Sequence, residues 1–596
     1  MADRPAFRGS AGPFLTGFNP LSPGAPPDTN YNRPLMSFTR RDLLASLGAA
    51  ALTRRLKAGQ TPRSSSIFEA VPNERSGITW VHDNGKSNKR WLPEAMCSGC
   101  AFLDYDNDGW MDILLINTGP SSFHQPTGSP RNALYRNNRN GTFTDVTREA
   151  GLVAARWGEG IAVGDFDGDG YPDLYFTCYG DNVLYRNNRD GTFTDVTAKA
   201  GVGKGGWSTS AVWFDYDNDG KLDLFVCGFV DYSGPHPKTC GSDALNKYSY
   251  CIPTIFEPRL SALYHNNGDG TFTEVGHLTD IGKNPGKAHG VVATDINNDG
   301  LMDLFVANDA VPNYLYVNRG GGKFEEIGVS AGVAYNTDGQ ARSGMGVDSA
   351  DYDNDGLMDI FVANIDGERF CLYHNDGNEI FTDRADEMGI GKASFYLSGW
   401  GLKFFDYDND GNIDLFIADG HPNDMVDVLL RNVTWAEPLL LFHNDGKKLI
   451  NVSSQAGPAF QQHWPARGMA IGDYDNDGGV DMIINNSGSA PLLLHNEVGA
   501  RNNWLGLRLI GTTANTDAVG ARVTWEFGGV RRSRLKVGGG SYLSAHDPRM
   551  VLGLGQASKI DSLEIRWPLP SKRVDRFTSL PLNRYITIRE GKGIVG

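Results

Sequence analysis

Seven stretches of the pattern D-x-[D/N]-x-D-G-x-x-D place oxygen-bearing side chains at a fixed spacing along the chain. Position 1 is Asp104, Asp165, Asp215, Asp295, Asp351, Asp406 and Asp473. Position 3 is Asp106, Asp167, Asp217, Asn297, Asp353, Asp408 and Asp475, and position 5 is Asp108, Asp169, Asp219, Asp299, Asp355, Asp410 and Asp477. Position 9 is Asp112, Asp173, Asp223, Asp303, Asp359, Asp414 and Asp481. Like charges this close repel, so a folded loop that keeps them needs a cation or full exposure to water. A hard dication that takes six or seven oxygens suits the set, and calcium tolerates irregular geometry better than magnesium. Position 6 is always Gly and position 4 is Asn or Gly, types that accept the positive φ of a tight turn. Position 7 runs from Trp110 through Lys221 to Gly479, as expected where only the backbone carbonyl is used. The 28 residues are therefore candidate ligands for up to seven calcium ions of structural role.

The same letters open an EF-hand, which closes with a bidentate Glu at position 12 between two helices. Here position 12 is Leu115, Phe176, Val226, Val306, Val362, Ile417 or Ile484, and the residues after position 9 alternate as a strand. The loop reads as a β-hairpin. The hairpins hold 27 of the 71 acidic residues, and seven dications would bring the formal charge from -16 to about -2. An acidic chain of this kind argues against nucleic acid as partner, because phosphate binding needs a basic face.

Each hairpin belongs to a longer unit. An apolar run such as GIAVGD enters it, a run such as DLYFT leaves it, and then LYRNN turns through RDG into TFTDVT. Four short antiparallel strands repeating every 50 to 80 residues describe the blade of a propeller, and seven hairpins predict seven blades. The last unit has LLLHN but no F-x-D-V-T strand after it, whereas Ile67–Val71 supplies one before the first hairpin. The N-terminal strand is thus expected to complete the final blade and remove a free edge. At 596 residues such a ring grows by repetition, and the fold class is all-β.

These hairpins with their companions resemble the FG-GAP/VCBS repeats of integrin-like propellers over residues 66–500. The resemblance implies that positions 1, 3, 5 and 9 are calcium ligands and that the hairpins share one face. Residues 501–596 contain further short strands, read as a small β-sandwich or barrel. Within them Asn515–Val523, Gly539–Tyr542, Gly553–Gly555 and Ile565–Pro568 look like an ASPIC/UnbV domain. That pairing is similar to the cartilage acidic protein family and its bacterial relatives, some encoded with enediyne biosynthesis. It implies an architecture and no defined reaction.

Residues 1–65 read as a lead-in followed by a twin-arginine-like export signal, with Arg40-Arg41 before a short apolar run and Met36 as an alternative start. That signal implies that the mature chain is exported to the periplasm, cell surface or medium, and no other segment has the length of a membrane helix. Cys240 and Cys251 are predicted to form a disulfide, while Cys97 and Cys100 read as free thiols, a strained pair or simple strand residues. The longest loops, 118–131, 228–262 and 419–438, are expected on the face away from the hairpins. In the second, Tyr232, Tyr248, Tyr250 and Phe256 form either an aromatic binding surface or rim packing.

The expected function is a binding or adhesion module for extracellular protein or glycan. The competing class is an enzyme or accessory protein acting on a polyketide or polysaccharide at the propeller axis. The chain offers no G-x-S-x-G elbow, H-E-x-x-H pair or phosphate loop, and no catalytic residue is assigned. His289, His421 and His463 are the histidines near strand entrances or long loops.

Overall fold

The computed structural model describes residues 66–126, 131–153, 156–232, 238–242 and 247–595. The segment read above as an export signal, with Met36 and the paired arginines, lies outside them. The described chain forms one compact unit.

The first repeat sets the pattern. Strand Cys100–Leu103 runs into the hairpin, Asp112–Leu115 leaves it, and Ala133–Asn137 and Phe143–Asp145 complete an antiparallel sheet in sequence order. Leu103 pairs with Asp112, so position 9 is the first residue of the second strand. Six further modules repeat this order, giving seven modules of four strands. The ladders of the second and third join where Trp207 pairs with Tyr179. Strand Phe68–Val71 pairs with Leu493–Asn496 and completes the last module, as the sequence pattern predicts.

First strands pack side by side from module to module, and Ala466–Gly472 of the seventh returns to Cys100–Leu103 of the first. The result is a closed ring of sheets, the propeller architecture. The core lies between neighbouring sheets: Phe166, Trp213, Val212 and Phe272, for example, pack together where the second and third modules meet.

One asparagine stitches the ring. In every module the side-chain amide of the Asn ending the LY-x-N strand donates to the backbone carbonyl of position 2 in the preceding hairpin. Asn187 reaches Tyr105 at 2.8 Å, Asn375 reaches Ile296 at 2.8 Å, and Asn137 closes the circle onto Tyr474 at 2.7 Å. The same residue's backbone N–H donates to the position 9 carboxylate, as Asn137 does to Asp112 at 2.7 Å.

Residues 504–594 form two four-stranded sheets. Trp504–Ile510 lies between Met550–Gly553 and Tyr585–Arg589, and Arg522–Phe527 lies between Val530–Leu535 and Ser562–Arg566. Leu507, Val523, Trp525, Ile565 and Ile588 fill the space between them. This is a sandwich.

Candidate functional site

The hairpins fold as their residue types demand. Asn107, Asn218, Asn298, Asn354, Asn409 and Asn476 at position 4 have φ between 56 and 62°, and Gly168 has 71°. In six hairpins the position 1 carboxylate receives the backbone N–H groups of positions 5 and 6, as Asp104 does from Asp108 at 2.9 Å and Gly109 at 3.0 Å, while Asp351 receives only that of Gly356. Position 5 receives position 7: Asp108 accepts from Trp110 at 2.9 Å. Positions 1 and 9 are buried in all seven hairpins, while positions 3 and 5 sit at the more open tip.

These turns draw the carboxylates together. In the first hairpin, oxygens of Asp104, Asp106 and Asp112 lie within 4.8 Å of one another. Asp173 of the second faces Asp167 and Asp165, and Asp303 of the fourth faces Asp295 and Asp299. Burial raises Asp104 to about 6, Asp165, Asp215, Asp351 and Asp473 to about 7, and Asp173 to about 9. Side chains clustered at that cost suit a hard cation, which would hold them ionised. Asn297 differs from its counterparts in that its amide donates to Glu379 at 3.3 Å.

The sequence reading passed over a histidine. The variable residue of LY-x-N is Arg136, Arg186, His265, Val317, His374, His443 or His495. The four histidines stand against their hairpins: Nδ1 of His374 lies 3.0 Å from Asp359, and that of His495 lies 3.0 Å from Asp481. The Asp414 carboxylate, 3.2 Å from its Nδ1, raises His443 to about 9, so there the imidazolium offsets part of the local negative charge. The signal was the recurrence of His at one repeat position.

The C-terminal sandwich covers the hairpin face. Arg508 donates to Asn107 Oδ1 at 2.6 Å, Arg549 to Asn476 Oδ1 at 2.6 Å, and Arg522 to Asn298 Oδ1. Arg532 holds Asn412 at 2.8 Å, and the Tyr585 hydroxyl donates to Asp473 at 2.7 Å. Residues 501–596 carry sixteen Lys and Arg against seven Asp and Glu, a net of +9. The other 500 residues hold the balance of the formal -16, which is -25, so the two parts are complementary in charge.

From this domain the segment Gly538–Asp547 enters the ring and bonds to the first strand of every module. Ala545 donates to Cys100 at 3.0 Å, and Ile161 donates to Leu543 at 3.1 Å. Leu543 donates to Ser210 at 3.1 Å, Gly540 to Val291 at 3.1 Å and Ser541 to Val347 at 2.6 Å. Leu402 donates to the Ser541 hydroxyl at 3.2 Å, and Asp547 donates to Ile471 at 3.0 Å. Six of the seven first strands carry Gly five residues before the hairpin, from Gly99 to Gly468, with Ser210 the exception. A Cβ on Gly99 or Gly160 would strike the backbone of Leu543. One residue earlier stand Ser98, Glu159, Thr209, His289, Met345, Trp400 and Arg467, all buried. Tyr542 stacks edge-on against Trp400 at 4.8 Å and donates its hydroxyl to Met96 at 2.8 Å. Burial holds Glu159 well above the usual carboxylate range, against the pull of the nearby indoles of Trp207 and Trp157.

Comparison with known proteins agrees with this architecture. FG-GAP-like repeats match residues 104–176, 165–226, 258–306, 295–362 and 351–417, and the ASPIC and UnbV family matches 511–595. The chain carries FG-GAP-like repeats and a C-terminal ASPIC and UnbV domain. It is homologous to cartilage acidic protein 1, being 29% identical over 288 residues to the Xenopus tropicalis protein and, over the same length, 29% identical to the human one. That alignment takes in 47% of this chain and only about two fifths of the relatives' length, 41% and 40%. Among solved structures, a lectin of Agrocybe aegerita described as recognising terminal N-acetylglucosamine is similar at 17% identity and a TM-score of 0.37, over 66% of this chain and 87% of that one. The BP39L lectin of Burkholderia pseudomallei is similar at 9% identity and 0.39, over 68% and 97%.

On the face of the FG-GAP ring away from the hairpins, the long loops converge with residues 82–97. Asp424 binds Arg90 at 2.9 Å and Lys86 at 2.6 Å, while the Lys89 amine donates to Tyr248 at 2.6 Å. Cys240 and Cys251 are joined as a disulfide. Of the loop aromatics, Tyr232 and Phe256 are buried among Trp207, Phe229 and Trp400 and Tyr250 packs half-buried against the same cluster, while Tyr248 stays half-exposed outside it. Cys97 and Cys100 are separate buried thiols. The three singled-out histidines do not meet. His289 lies in the axial ring, His421 bonds Asp366 at 3.0 Å in a long loop, and His463 is exposed. Among the described residues no helix is long and apolar enough to cross a membrane.

Proposed function

We propose that the protein is an exported binding module, with structural calcium in its hairpins and an extracellular protein or glycan on the opposite face. The observation that carries the binding half is the contrast between the faces. The hairpin face is covered by the chain's own C-terminal domain, whereas the loops of the other face leave apolar side chains open to water. Val428 is 73% exposed and Leu429 63%, on the short helix of loop 419–438, and Ile252 beside the disulfide is 63% exposed. Loops held on a rigid scaffold and carrying such groups are where recognition concentrates. Replacing Val428 and Leu429 together by Asp is expected to abolish capture of the partner from the native secretome, or of the ligand on a glycan array, with melting unchanged. Undiminished capture would refute this face as the binding surface.

The calcium half is supported by the oxygen-rich donor set and by buried carboxylates that face one another. Melting of the full chain should rise with calcium and fall with a chelator, in proportion to occupancy. The competing reading, an enzyme or accessory protein acting on a polyketide or polysaccharide at the axis, has to accommodate Gly538–Asp547 there. Turnover of such a substrate by the purified protein would favour it.

A further inference from the structure

On the face away from the hairpins, the repeat has a fixed way of closing its second strand. Five residues after position 9 it carries Asn in four modules, at Asn117, Asn308, Asn364 and Asn486. The side-chain amide there donates to a carbonyl further along the loop, as Asn308 does to Pro312 at 2.7 Å, Asn364 to Arg369 at 2.7 Å and Asn486 to Ala490 at 3.0 Å. The sixth module has Asp419 instead. It is fully buried, and neither of its oxygens has a hydrogen bond.

The residue opposite is another acid. The antiparallel bridge between Gly420 and Ala436 sets Glu437 across from Asp419, and side chains so placed share a face with Cβ atoms about 5 Å apart. On its other side Asp419 pairs with Gly399, which has no side chain. Oε2 of Glu437 accepts the amide of Ser398, beside that glycine, at 2.7 Å, so the Glu437 carboxyl crosses the strand that carries Asp419. Its Oε1 is buried without a partner. A third acid stands at the edge: the Asp366 amide donates to Ser398 Oγ at 3.3 Å, and Asp366 Oδ1 lies 3.0 Å from His421 Nε2. His421 Nδ1 accepts the Asn423 amide at 3.0 Å, so Nε2 carries the proton and orients Asp366. Arg467, behind the strand, gives its hydrogen bonds to the carbonyls of Ala95, Gly420, Ala466 and His421. Burial, with Glu437 opposite, holds Asp419 well above the usual carboxylate range, and burial raises Glu437 to about 9. Each buried polar atom left unpaired costs about 1–3 kcal/mol, and this one pair of side chains leaves three oxygens so.

We propose that Asp419, Glu437 and Asp366 hold one hard divalent cation, at a site separate from the hairpins. Asp419 and Glu437 are its buried ligands, and Asp366, whose side chain is 15% exposed, is the ligand on the solvent side. Carboxylate oxygens suit calcium, magnesium or manganese. The ion ties the first residue of loop 419–438 to its last but one, and so closes the base of the loop that presents Val428 and Leu429. The site uses neither of those two side chains, so it stands or falls apart from the recognition role proposed for them.

The test is an ion count. The full chain is stripped of metal, reloaded separately with calcium, magnesium or manganese, and weighed by native mass spectrometry beside Asp419→Asn and the double variant Asp419→Asn/Glu437→Gln. Asn is the residue that four other modules carry at this place, so the single variant is expected to fold; if the double variant does not, the single one carries the count. With one of the metals the parent should hold one ion more per chain than either variant, and the metal that gives the difference identifies the ion. Should the hairpins bind nothing, the expected counts are one and none, which separates this site from the calcium reading of the hairpins. With the same metal, amide exchange in the loop between the two acids should quicken at least about tenfold in the variants, with exchange at the hairpins unchanged. Equal counts in the parent and the folded variants with all three metals would overturn the proposal and leave Asp419 and Glu437 as a protonated pair.

Discussion

At the scale of single residues, the repeat divides its labour between charge and hydrogen bonding. The hairpin aspartates were legible as a pattern recurring seven times, and in the first hairpin the fold brings Asp104, Asp106 and Asp112 within 4.8 Å of one another. The stitching asparagine was equally visible as letters and was missed, because its partner lies in the preceding module, at a distance that no local rule supplies. Asn375 shows what it contributes. Its amide donates to Ile296 at 2.8 Å and Met358 at 3.1 Å, and its oxygen accepts from Gly377 at 3.0 Å. Asn375→Ala leaves two buried carbonyls and an amide without partners, and a loss of about 3 kcal/mol is expected, measured by denaturant unfolding. Titration supplies a second residue-scale prediction. Burial raises Asp165, Asp215, Asp351 and Asp473 to about 7, above the ordinary carboxylate value, so in the metal-free fold they bind protons that the unfolded chain has released. The unfolded state then binds fewer protons than the native one between about pH 4 and 7, and stability of the metal-free protein falls as pH rises through that window. Melts of ion-exchanged protein should therefore worsen from pH 5 to 8, and added calcium should restore most at pH 8. A metal-free melt independent of pH would show that these carboxyls do not titrate as buried acids.

At the scale of elements, hydrophobic periodicity and turn chemistry predicted the four-strand module and the closing N-terminal strand. The C-terminal segment 538–547 resisted the same reading. Three consecutive glycines look like a linker, and only the docked structure reveals that the missing side chains let the chain pass Val212 and the Asp348–Lys403 pair. The companion signal, Gly at the same place in six first strands, is a property of a shared axis and has no meaning inside one module. The closing strand is the element whose worth can be measured most directly. Phe68 is fully buried and stacks with Phe460 at 6.1 Å, and the strand's four residues pair with Leu493–Asn496. Phe68→Ala is expected to cost about 3–5 kcal/mol from the cavity it leaves. Hydrogen exchange should quicken first along Leu492–Asn496, which becomes an edge strand. Protection that is lost evenly around the ring would contradict this account of the closure.

At the scale of the whole molecule, the charge asymmetry links the metal question to the docking of the second domain. Nothing in the sequence order joins the basic C-terminal residues to particular hairpins, yet the fold sets Arg508 3.8 Å from Asp104 and Arg534 4.0 Å from Asp406. Each arginine attracts the bare carboxylates and repels a cation that enters the same hairpin, so the two bound partners of the aspartates compete. A unit charge near 4 Å contributes about 1 kcal/mol in water and about 4 kcal/mol near a protein surface, and twice that against a dication, before screening. Replacing Arg508 and Arg534 by Gln should therefore tighten calcium at the first and sixth hairpins by about tenfold or more, read by competition with a fluorescent chelator on the full chain. The third and seventh hairpins, whose carboxylates neither arginine approaches, should keep their affinity in that variant. The sixth has both Arg534 and His443, and so should gain less than the first. A variant whose calcium titration superimposes on that of the parent would mean that the covering domain exerts no field on the hairpins, and that its arginines serve only to hold the asparagines of the turns.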